Sequence, residues 1–388
     1  MNPAVNQRKG PASSRFQTQV GPGGGYPCTV RTGGLGWHCL LALLWLLAAA
    51  ATSGRAEPGS DPVEEAVAAL APYAPAGPVS GTIRLWGHGS PKHDFMGRLM
   101  DGWIAGFSRY QPGVKFVNHM YGTASAIGAL YTGAGDIAIL GEEISPAAAT
   151  AFEREKHYAP TGIQIATGSL DVNFFDYAHM IFVRKDNPIK GLALTQLDAI
   201  FGAEHRRGPR NLRTWRDVGL TGEWANRRIQ PYGWQVDVDF ALFFQEAVME
   251  NSHRWNTDLK EYVHVQRPDG TQYDHGQQIL DALARDPAGI ALSNVRYANP
   301  QVRALPLARD DAGPYYEPTK ANLIAQTYPL VRIIPAYIDV PPNGRAEPAV
   351  REFIRYILSR EGQQAIVSDS DYLPLGAGAI RRQLEKLP

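Results

Sequence analysis

The sequence YGTASAIGALYTGAGDIAILGEEIS occupies residues 121–145. Small and hydroxyl-bearing residues crowd its start, an apolar stretch at helical spacing follows, and a glycine-rich break leads into a second apolar run. The pattern predicts a turn, a helix over 126–131 and a strand over 137–140. Either the turn simply caps the helix, or its small residues leave room for an anion or another polar ligand.

Strand and helix patterns alternate along the chain after residue 80. Short apolar runs bounded by Gly or Pro indicate strands, and apolar residues three or four apart indicate helices. This alternation predicts an α/β fold with parallel sheets. Thr195 is predicted to cap the helix at 194–201. The predicted strands are 82–86, 112–120, 137–140, 177–189, 228–234, 290–294 and 328–339, and the predicted helices are 95–110, 126–131, 147–156, 194–201, 239–249, 276–286 and 348–370.

The first 56 residues have the composition of an export signal: they contain five basic residues and no acidic one. An apolar run, LGWHCLLALLWLLAAAA, occupies residues 35–51, and the small residues Gly54 and Ala56 follow it. The run is shorter than the roughly 20 residues that a membrane-spanning helix needs. We therefore predict a secretory signal peptide cleaved near Ala56, with a retained membrane anchor as the alternative.

The rest of the chain has no cysteine and a slight acidic excess. Cys28 and Cys39 both lie in the leader, which excludes disulfides, thiol nucleophiles and Cys-ligated metals from the mature protein. Residues 57–388 carry 33 basic and 38 acidic residues, a net charge of −5, which excludes a generally basic nucleic-acid binder. An exported protein of this length without cysteine indicates a bacterial periplasmic location.

Several segments, taken in order, resemble the periplasmic phosphate-binding proteins of ABC importers. NPIKGLALTQLDAIF at 187–201 and TWRDVGLTGEWANRRIQPYGW at 214–234 resemble the beginning of that family's second lobe. GTASAIGALYTGAGDIAIL at 122–140 resembles the turn, helix and strand whose hydroxyls contact phosphate. YPLVRIIPAYI at 328–338 resembles the family's return strand, and FIRYILSREGQQAIVSDSDYLPL at 353–375 resembles its closing helix and tail.

This resemblance implies a two-lobed type II periplasmic binding protein fold, an α/β fold in which two crossover strands join the lobes. The ligand then lies in the cleft, beyond the carboxyl ends of strands, and the lobes close on it by a hinge motion. The linker also contains one short predicted helix at 63–70. The expected segments are a lead-in and signal peptide at 1–56, a linker at 57–79, lobe I at 80–176 plus 328–388, and lobe II at 177–327.

Three turns are expected to converge on the cleft. The first, GHGSPKHD at 87–94, matches the position of the family's glycine-rich turn. It could bind an anion with the backbone of Gly89, the hydroxyl of Ser90 and positive charge on His88 or Lys92. The alternative is a capped helix that carries surface charges.

The second turn and the strand after it supply further candidates. Thr123 aligns with the hydroxyl position of the family, and Ser125 is close by. At the end of the strand, the phosphate-specific proteins place an acidic acceptor for the proton of hydrogen phosphate. Glu142 or Glu143 could have this role, or Glu142 could be a solvated residue at a helix start.

The third turn departs from the family pattern, which has an Arg and then Ser-Gly-Thr at the start of a helix. In YGWQVDVDFALFF at 232–244, Asp237 and Asp239 fall where Ser-Gly-Thr is expected, and Trp234 or Gln235 falls near the Arg. Carboxylates at these positions disfavour a phosphate dianion, although Asp239 could simply cap the helix. We therefore predict weaker phosphate binding than in the family.

The main functional hypothesis is a periplasmic solute-binding protein that binds phosphate or a related oxyanion for an ABC importer. Its partners would be that small ligand and the importer's membrane subunits, with no nucleic acid, cofactor or metal. One alternative is the same fold adapted to a phosphate ester or a cationic compound, on which Trp86 or Trp234 could stack. Another is a signalling or partner protein without a ligand.

An enzyme is not expected. His88, Ser90 and Asp94 offer a base and a nucleophile within one turn, but their spacing is too tight for a catalytic triad. The chain has no Gly-x-Ser-x-Gly nucleophile motif. His88 and His93 together with the glutamates make a weak candidate for a metal site.

Overall fold

The computed structural model describes residues 60–89, 95–172, 177–208, 211–237 and 239–387. The predicted signal peptide and both cysteines lie outside these ranges. The strands are β1 (Gly81–Gly87), β2 (Val114–His119), β3 (Ile137–Ile139), β4 (Thr161–Thr167), β5 (Met180–Arg184), β6 (Leu192–Ala193), β7 (Gln230–Trp234), β8 (Lys260–Tyr262), β9 (Val265–Gln266), β10 (Gln272–Tyr273), β11 (Gly289–Ser293), β12 (Val302–Ala304), β13 (Leu307–Ala308) and β14 (Ile333–Ile338). The helices are α1 (Pro62–Ala68), α2 (Phe95–Ser108), α3 (Ala126–Tyr131), α4 (Pro146–Lys156), α5 (Leu194–Phe201), α6 (Asp239–Ala247), α7 (His275–Leu283), α8 (Lys320–Ile324), α9 (Pro348–Ile357), α10 (Arg360–Asp369) and α11 (Ala377–Leu384).

Two five-stranded mixed sheets organise the described residues. The first has the order β2-β1-β3-β14-β4, with β1, β2 and β3 parallel and β14 antiparallel to both of its neighbours. The second has the order β12-β5-β11-β7-β8, with β7, β8 and β11 parallel and β5 antiparallel to β11 and β12. Because parallel strands share one carboxyl edge, the turns that follow them in each sheet lie side by side. The limits of the two lobes stay a prediction.

Helices cover the sheets, and the strand sequences reflect this. All residues of β3 and of β11 are buried, as expected for strands that are covered on both faces. In α2 the apolar side chains recur every three or four residues and form one buried face against the first sheet. These α2 side chains are Met96, Leu99, Met100, Trp103 and Phe107. None of the helices in the described ranges has the length and apolarity needed to cross a membrane.

Two details of the helix predictions are wrong. The segment 348–370 forms two helices, α9 and α10, because Ser359 has an extended backbone and its hydroxyl accepts the N–H of Gly362. A Cβ atom on Gly362 would also lie 2.2 Å from the carbonyl oxygen of Tyr356. The start of α10 therefore packs closely against the end of α9 instead of continuing it. Thr195 does not cap α5, which begins after Ala193. The Thr195 hydroxyl instead donates a hydrogen bond to the Asp311 carboxylate.

The sequence reading also missed β4, a strand at one edge of the first sheet. Its half-buried Gly162 and Gln164 interrupt the apolar pattern that would have identified it. The short helix predicted at 63–70 within the linker is confirmed as α1, which begins at an Asp61 cap whose carboxylate accepts the N–H of Val63. Val63 packs in the apolar core around the second sheet, and Tyr73 packs in the core around the first.

Two chain segments connect the sheets and run beside one another. One follows β4, and the other precedes β14. The N–H of Gly168 donates to the carbonyl of Arg332 at 2.9 Å, and the N–H of His179 donates to the carbonyl of Leu330 at 3.1 Å. Backbone hydrogen bonds therefore tie the outgoing segment to the returning one.

The Arg332 side chain forms the main polar contact at this junction. Only 1% of it is exposed, and it holds the Glu143 carboxylate with Nε–Oε1 and Nη2–Oε2 distances of 3.2 and 2.8 Å. Its guanidinium carbon also lies 5.1 Å from the centre of the Phe243 ring. Glu143 follows β3 of the first sheet and Phe243 belongs to α6, so Arg332 joins parts of both sheets to the crossover.

We expect Glu143→Ala to lower the free energy of unfolding by about 1–3 kcal/mol, because it leaves the buried Arg332 charge without this partner. This expected loss of stability is smaller than that for a fully buried ion pair, because 26% of the Glu143 side chain is exposed. Urea denaturation measures the change. The control is Glu155→Ala on the exposed face of α4, which should change stability by less than about 0.5 kcal/mol. Equal stability of the two variants would contradict a structural role for the ion pair.

Candidate ligand-binding site

The carboxyl ends of β1, β2 and β3 bring the first two predicted turns together. The N–H of His88, directly after β1, donates to the carbonyl of Ile139 in β3 at 2.7 Å. The N–H of Gly122, after β2, donates to the carbonyl of Gly87 at 2.8 Å. The Nδ1 atom of His88 lies 3.5 Å from the Thr123 hydroxyl. His88, Gly89 and Thr123 therefore form one polar surface at this edge of the sheet.

Close backbone contacts explain two glycines of this surface. A Cβ atom on Gly89 would lie 2.0 Å from the carbonyl oxygen of Met120. A Cβ atom on Gly141 would lie 2.4 Å from Nδ1 of His88, so the imidazole packs directly on the backbone after β3. Sequence reasoning named Gly89 but missed Gly141. A glycine directly after a buried parallel strand was the available signal.

The hydroxyls of the second turn do not cap the helix. A short 3₁₀ turn over Thr123–Ser125 leads into α3, and neither helical segment has a side-chain capping bond. Thr123 is half-buried beside His88, and Ser125 is exposed. The capping alternative therefore does not account for these hydroxyls, which are accessible from the side where the three strands end.

The two glutamates after β3 have different surroundings. Both line a cavity of about 330 Å³ together with Leu242 and Gln245 of α6, and Glu143 is also held by Arg332. Residues that follow β3 of the first sheet and residues of α6 therefore border this cavity. Of the two residues proposed as the proton acceptor, Glu143 also supports the crossover.

The third turn has a buried part and an exposed part. The Trp234 side chain is 2% exposed, and its ring lies 4.9 Å from Phe240 and 4.6 Å from His179. These contacts place the ring inside the core around the second sheet. Asp237 is exposed, whereas the N–H of Val236 donates to Glu261 at 2.9 Å and ties the turn to β8. The structure thus does not bring the Trp234 ring onto the same surface as Thr123.

Three of the predicted site residues lie beyond what the structure describes. Ser90 and Lys92 fall in residues 90–94, outside the described ranges, and so do His93 and Asp94. Asp239 begins α6, but its side chain is also outside the description.

Buried polar groups lie behind the third turn. The Ser169 hydroxyl, both ring nitrogens of His179 and the Trp234 indole N–H have no hydrogen-bond partner within the described part of the chain. Burial, followed by the nearby Arg332 charge, lowers the pKa of His179 well below its usual value, so its ring is neutral at pH 7. Buried polar atoms normally have partners, so these groups indicate space for a water molecule or a polar ligand. The sequence contained no signal for this cluster.

Glu246 of α6 borders a second cavity, of about 440 Å³, which Glu143 and Tyr337 also line. Its side chain is exposed toward this cavity, but the surrounding cavity walls remove it partly from bulk water. This burial, and then the negative charge of Glu143, raise the pKa of Glu246, whereas Arg332 opposes the shift. The ionised form of Glu246 is therefore disfavoured in the folded protein.

We predict that Glu246→Gln stabilises the protein near pH 7. A carboxyl whose pKa is raised in the folded state binds more protons there than in the unfolded state. Stability is then lost as pH rises above the usual value of 4.5. The Gln side chain does not ionise, so the variant does not lose stability in this way. Its gain in stability over the wild type should be present at about pH 7 and should vanish at about pH 3.5. Urea denaturation at both pH values, with Glu155→Gln as the control, measures the difference. A gain that is independent of pH would contradict this explanation.

Comparison with known proteins identifies the class. A family model described as the PBP superfamily domain matches residues 75–361, most of the chain. The chain therefore belongs to the PBP superfamily domain family, whose members are binding proteins. The predicted two-lobed type II periplasmic binding protein fold, with its α/β lobes and crossover strands, is confirmed.

Within this class the chain is similar to the phosphate-binding protein PstS of Pseudomonas aeruginosa. The two are 29% identical over 350 residues, which covers 90% of this chain and 98% of that protein. Protein SphX of Synechococcus elongatus is 24% identical over 203 residues, covering 51% of this chain and 54% of that protein. The predicted resemblance to PstS-like proteins is confirmed.

A solved structure agrees with the fold. The crystal structure of PstS from Borrelia burgdorferi matches with a TM-score of 0.50 and 13% identity. The match covers 77% of this chain and all of that chain. At this identity the likeness supports the architecture of the chain alone.

Proposed function

We propose that the protein is the periplasmic solute-binding component of an ABC importer and that it binds phosphate or a related oxyanion between its lobes. The observation that carries this proposal is the similarity to the phosphate-binding protein PstS, which extends over 90% of the chain. A match of this extent includes both sheets and the segments that join them. The proposal assigns a binding role rather than catalysis, and it includes the importer's membrane subunits as partners.

The polar surface on the first sheet supports an anionic ligand. Backbone N–H groups and hydroxyls at the ends of parallel strands are suited to oxyanions, since they donate hydrogen bonds without adding bulk. Thr123 offers a hydroxyl that no helix cap uses, and His88 lies next to it. Gly89 and Gly141 let the backbone approach closely. Glu142, which lines the cavity between the sheets, would accept a hydrogen bond from the proton of a protonated oxyanion.

The third turn supports the alternative of an altered ligand. Asp237 is exposed at this turn, where the family has donors, and a carboxylate there repels an oxyanion. The Ser169 hydroxyl and the Trp234 N–H behind the turn are buried, so they do not replace the missing Arg on the surface that carries Thr123. A phosphate ester or a ligand that carries a cationic group would tolerate Asp237 better than inorganic phosphate does. A protein that uses the fold without a ligand is the remaining alternative.

The export signal fits this role. We propose that residues 1–56 direct the chain to the periplasm, where such a binding protein meets its solute. If the leader is not cleaved, its apolar run would instead keep the protein at the membrane.

We predict that Thr123→Ala weakens phosphate binding by about 10–100-fold, because one hydrogen bond to a charged group contributes about 1.5–3 kcal/mol. Isothermal titration calorimetry with inorganic phosphate at neutral pH measures the affinity. Thr150→Ala, an exposed position on α4 of the same sheet's helical layer, is the matched control and should bind like the wild type. Equal affinities of wild type and Thr123→Ala would remove the second turn from the site.

We predict that Asp237→Asn strengthens phosphate binding by about fivefold, since a carboxylate about 4 Å from a phosphate charge costs about 1 kcal/mol in water-like surroundings. The same titration measures this change, with the exposed Asp371→Asn as the control for the loss of one negative charge. If Asp237→Asn binds phosphate as the wild type does, the carboxylate does not face the ligand. If only the variant binds phosphate, the natural ligand differs from the inorganic anion.

A further inference from the structure

Three side chains suited to metal binding meet at the amino end of α7. Asp274 directly precedes α7, His275 is its first residue, and His264 lies between β8 and β9. The Nδ1 atom of His264 lies 3.7 Å from Oδ2 of Asp274, and Nε2 of His275 lies 3.9 Å from Oδ1. One ligand atom from each residue can be chosen so that all three lie within 4.8 Å of one another. These distances are too long for direct hydrogen bonds between the rings and the carboxylate.

The buried histidine of this cluster stacks on the exposed one. The His275 side chain is only 7% exposed, and its Nε2 atom lies too far from Oδ1 of Asp274 for a hydrogen bond. The His264 ring stacks on it, with the ring centres 3.9 Å apart. Stacking brings both rings to the Asp274 carboxylate without a hydrogen bond between either ring and that carboxylate. A cation between the three groups would join them, because imidazole nitrogen and carboxylate oxygen are both common metal ligands.

We propose that His264, Asp274 and His275 bind one divalent transition-metal ion such as Zn²⁺. Bonds of about 2.0–2.2 Å from Zn²⁺ to His nitrogen and carboxylate oxygen place neighbouring ligand atoms about 3–3.5 Å apart. The two His–Asp distances therefore have to shorten by a few tenths of an ångström, and no pair of the chosen ligand atoms starts more than 4.8 Å apart. Two imidazoles favour late transition ions over Mg²⁺ and Ca²⁺, which prefer oxygen ligands.

The surroundings of the three ligands favour this assignment. The Asp274 carboxylate also accepts the N–H of Gly276 at 2.9 Å, a second-sphere bond that fixes its orientation. The N–H of His275 donates to Nδ1 of His264 at 3.4 Å, so an ion bound at this atom replaces that hydrogen bond. The His264 side chain is 40% exposed, which gives an ion access from solvent and leaves further coordination positions for water. The proposal does not depend on which solute the cleft binds.

The test uses the protein purified without a polyhistidine tag and freed of metal with a chelator. Zn²⁺ is titrated by calorimetry, and Co²⁺ by its visible absorption, which reports imidazole coordination. The expected result is one ion bound per chain and weaker binding of Mg²⁺. Loss of an outer-sphere partner alone weakens metal binding by about 10–100-fold, so His264→Ala and His275→Ala should each weaken it by at least about a hundredfold.

Two controls keep the outcome decisive. His157→Asn removes a histidine at the end of α4 on the first sheet's side, keeps the left-handed backbone there (φ 65°), and should bind Zn²⁺ like the wild type. Because His275 is buried, circular dichroism establishes that its variant is folded, and the exposed His264→Ala gives an independent result. The proposal is overturned if the wild type binds no Zn²⁺, or if His264→Ala binds Zn²⁺ and gives the Co²⁺ spectrum as the wild type does.

Discussion

The buried pair of Arg332 and Glu143 is the interaction on which the arrangement of the two sheets depends. Arg332 belongs to the returning crossover segment, Glu143 to the end of β3, and the Phe243 ring that faces the guanidinium belongs to α6. A charge with 1% exposure is stable only if its partners stay in place. Any motion of one sheet against the other must therefore preserve or exchange these contacts. The junction therefore supports the arrangement of the two sheets.

Strand direction places the candidate site. β1, β2 and β3 are parallel, so the turns after them meet at one edge and bring His88, Thr123 and Gly141 together from positions 18 to 53 residues apart in the sequence. Small residues at this edge keep the backbone accessible. The position of the site is thus a consequence of topology, and its polarity follows from the side chains that fill the turns.

Acidic groups distinguish this cleft from a simple anion site. Glu142 and Glu246 line cavities that residues near both sheets border, and the raised pKa of Glu246 reflects burial and then the charge of Glu143. The positive charge of Arg332 offsets part of this negative charge, but Arg332 is already paired with Glu143.

The sequence by itself determined the α/β class, the order of most elements and the resemblance that implied two lobes, because strand and helix periodicities and turn residues are local properties. It also predicted Thr123 and Gly89 as candidate ligand contacts, because both come shortly after apolar strands. Only the tertiary structure showed that Gly141 supports His88, that Trp234 is buried, and that His264 meets His275. These facts depend on which strands are neighbours and on which face of a helix meets the core. No local pattern encodes such contacts, since residues far apart in the chain create them.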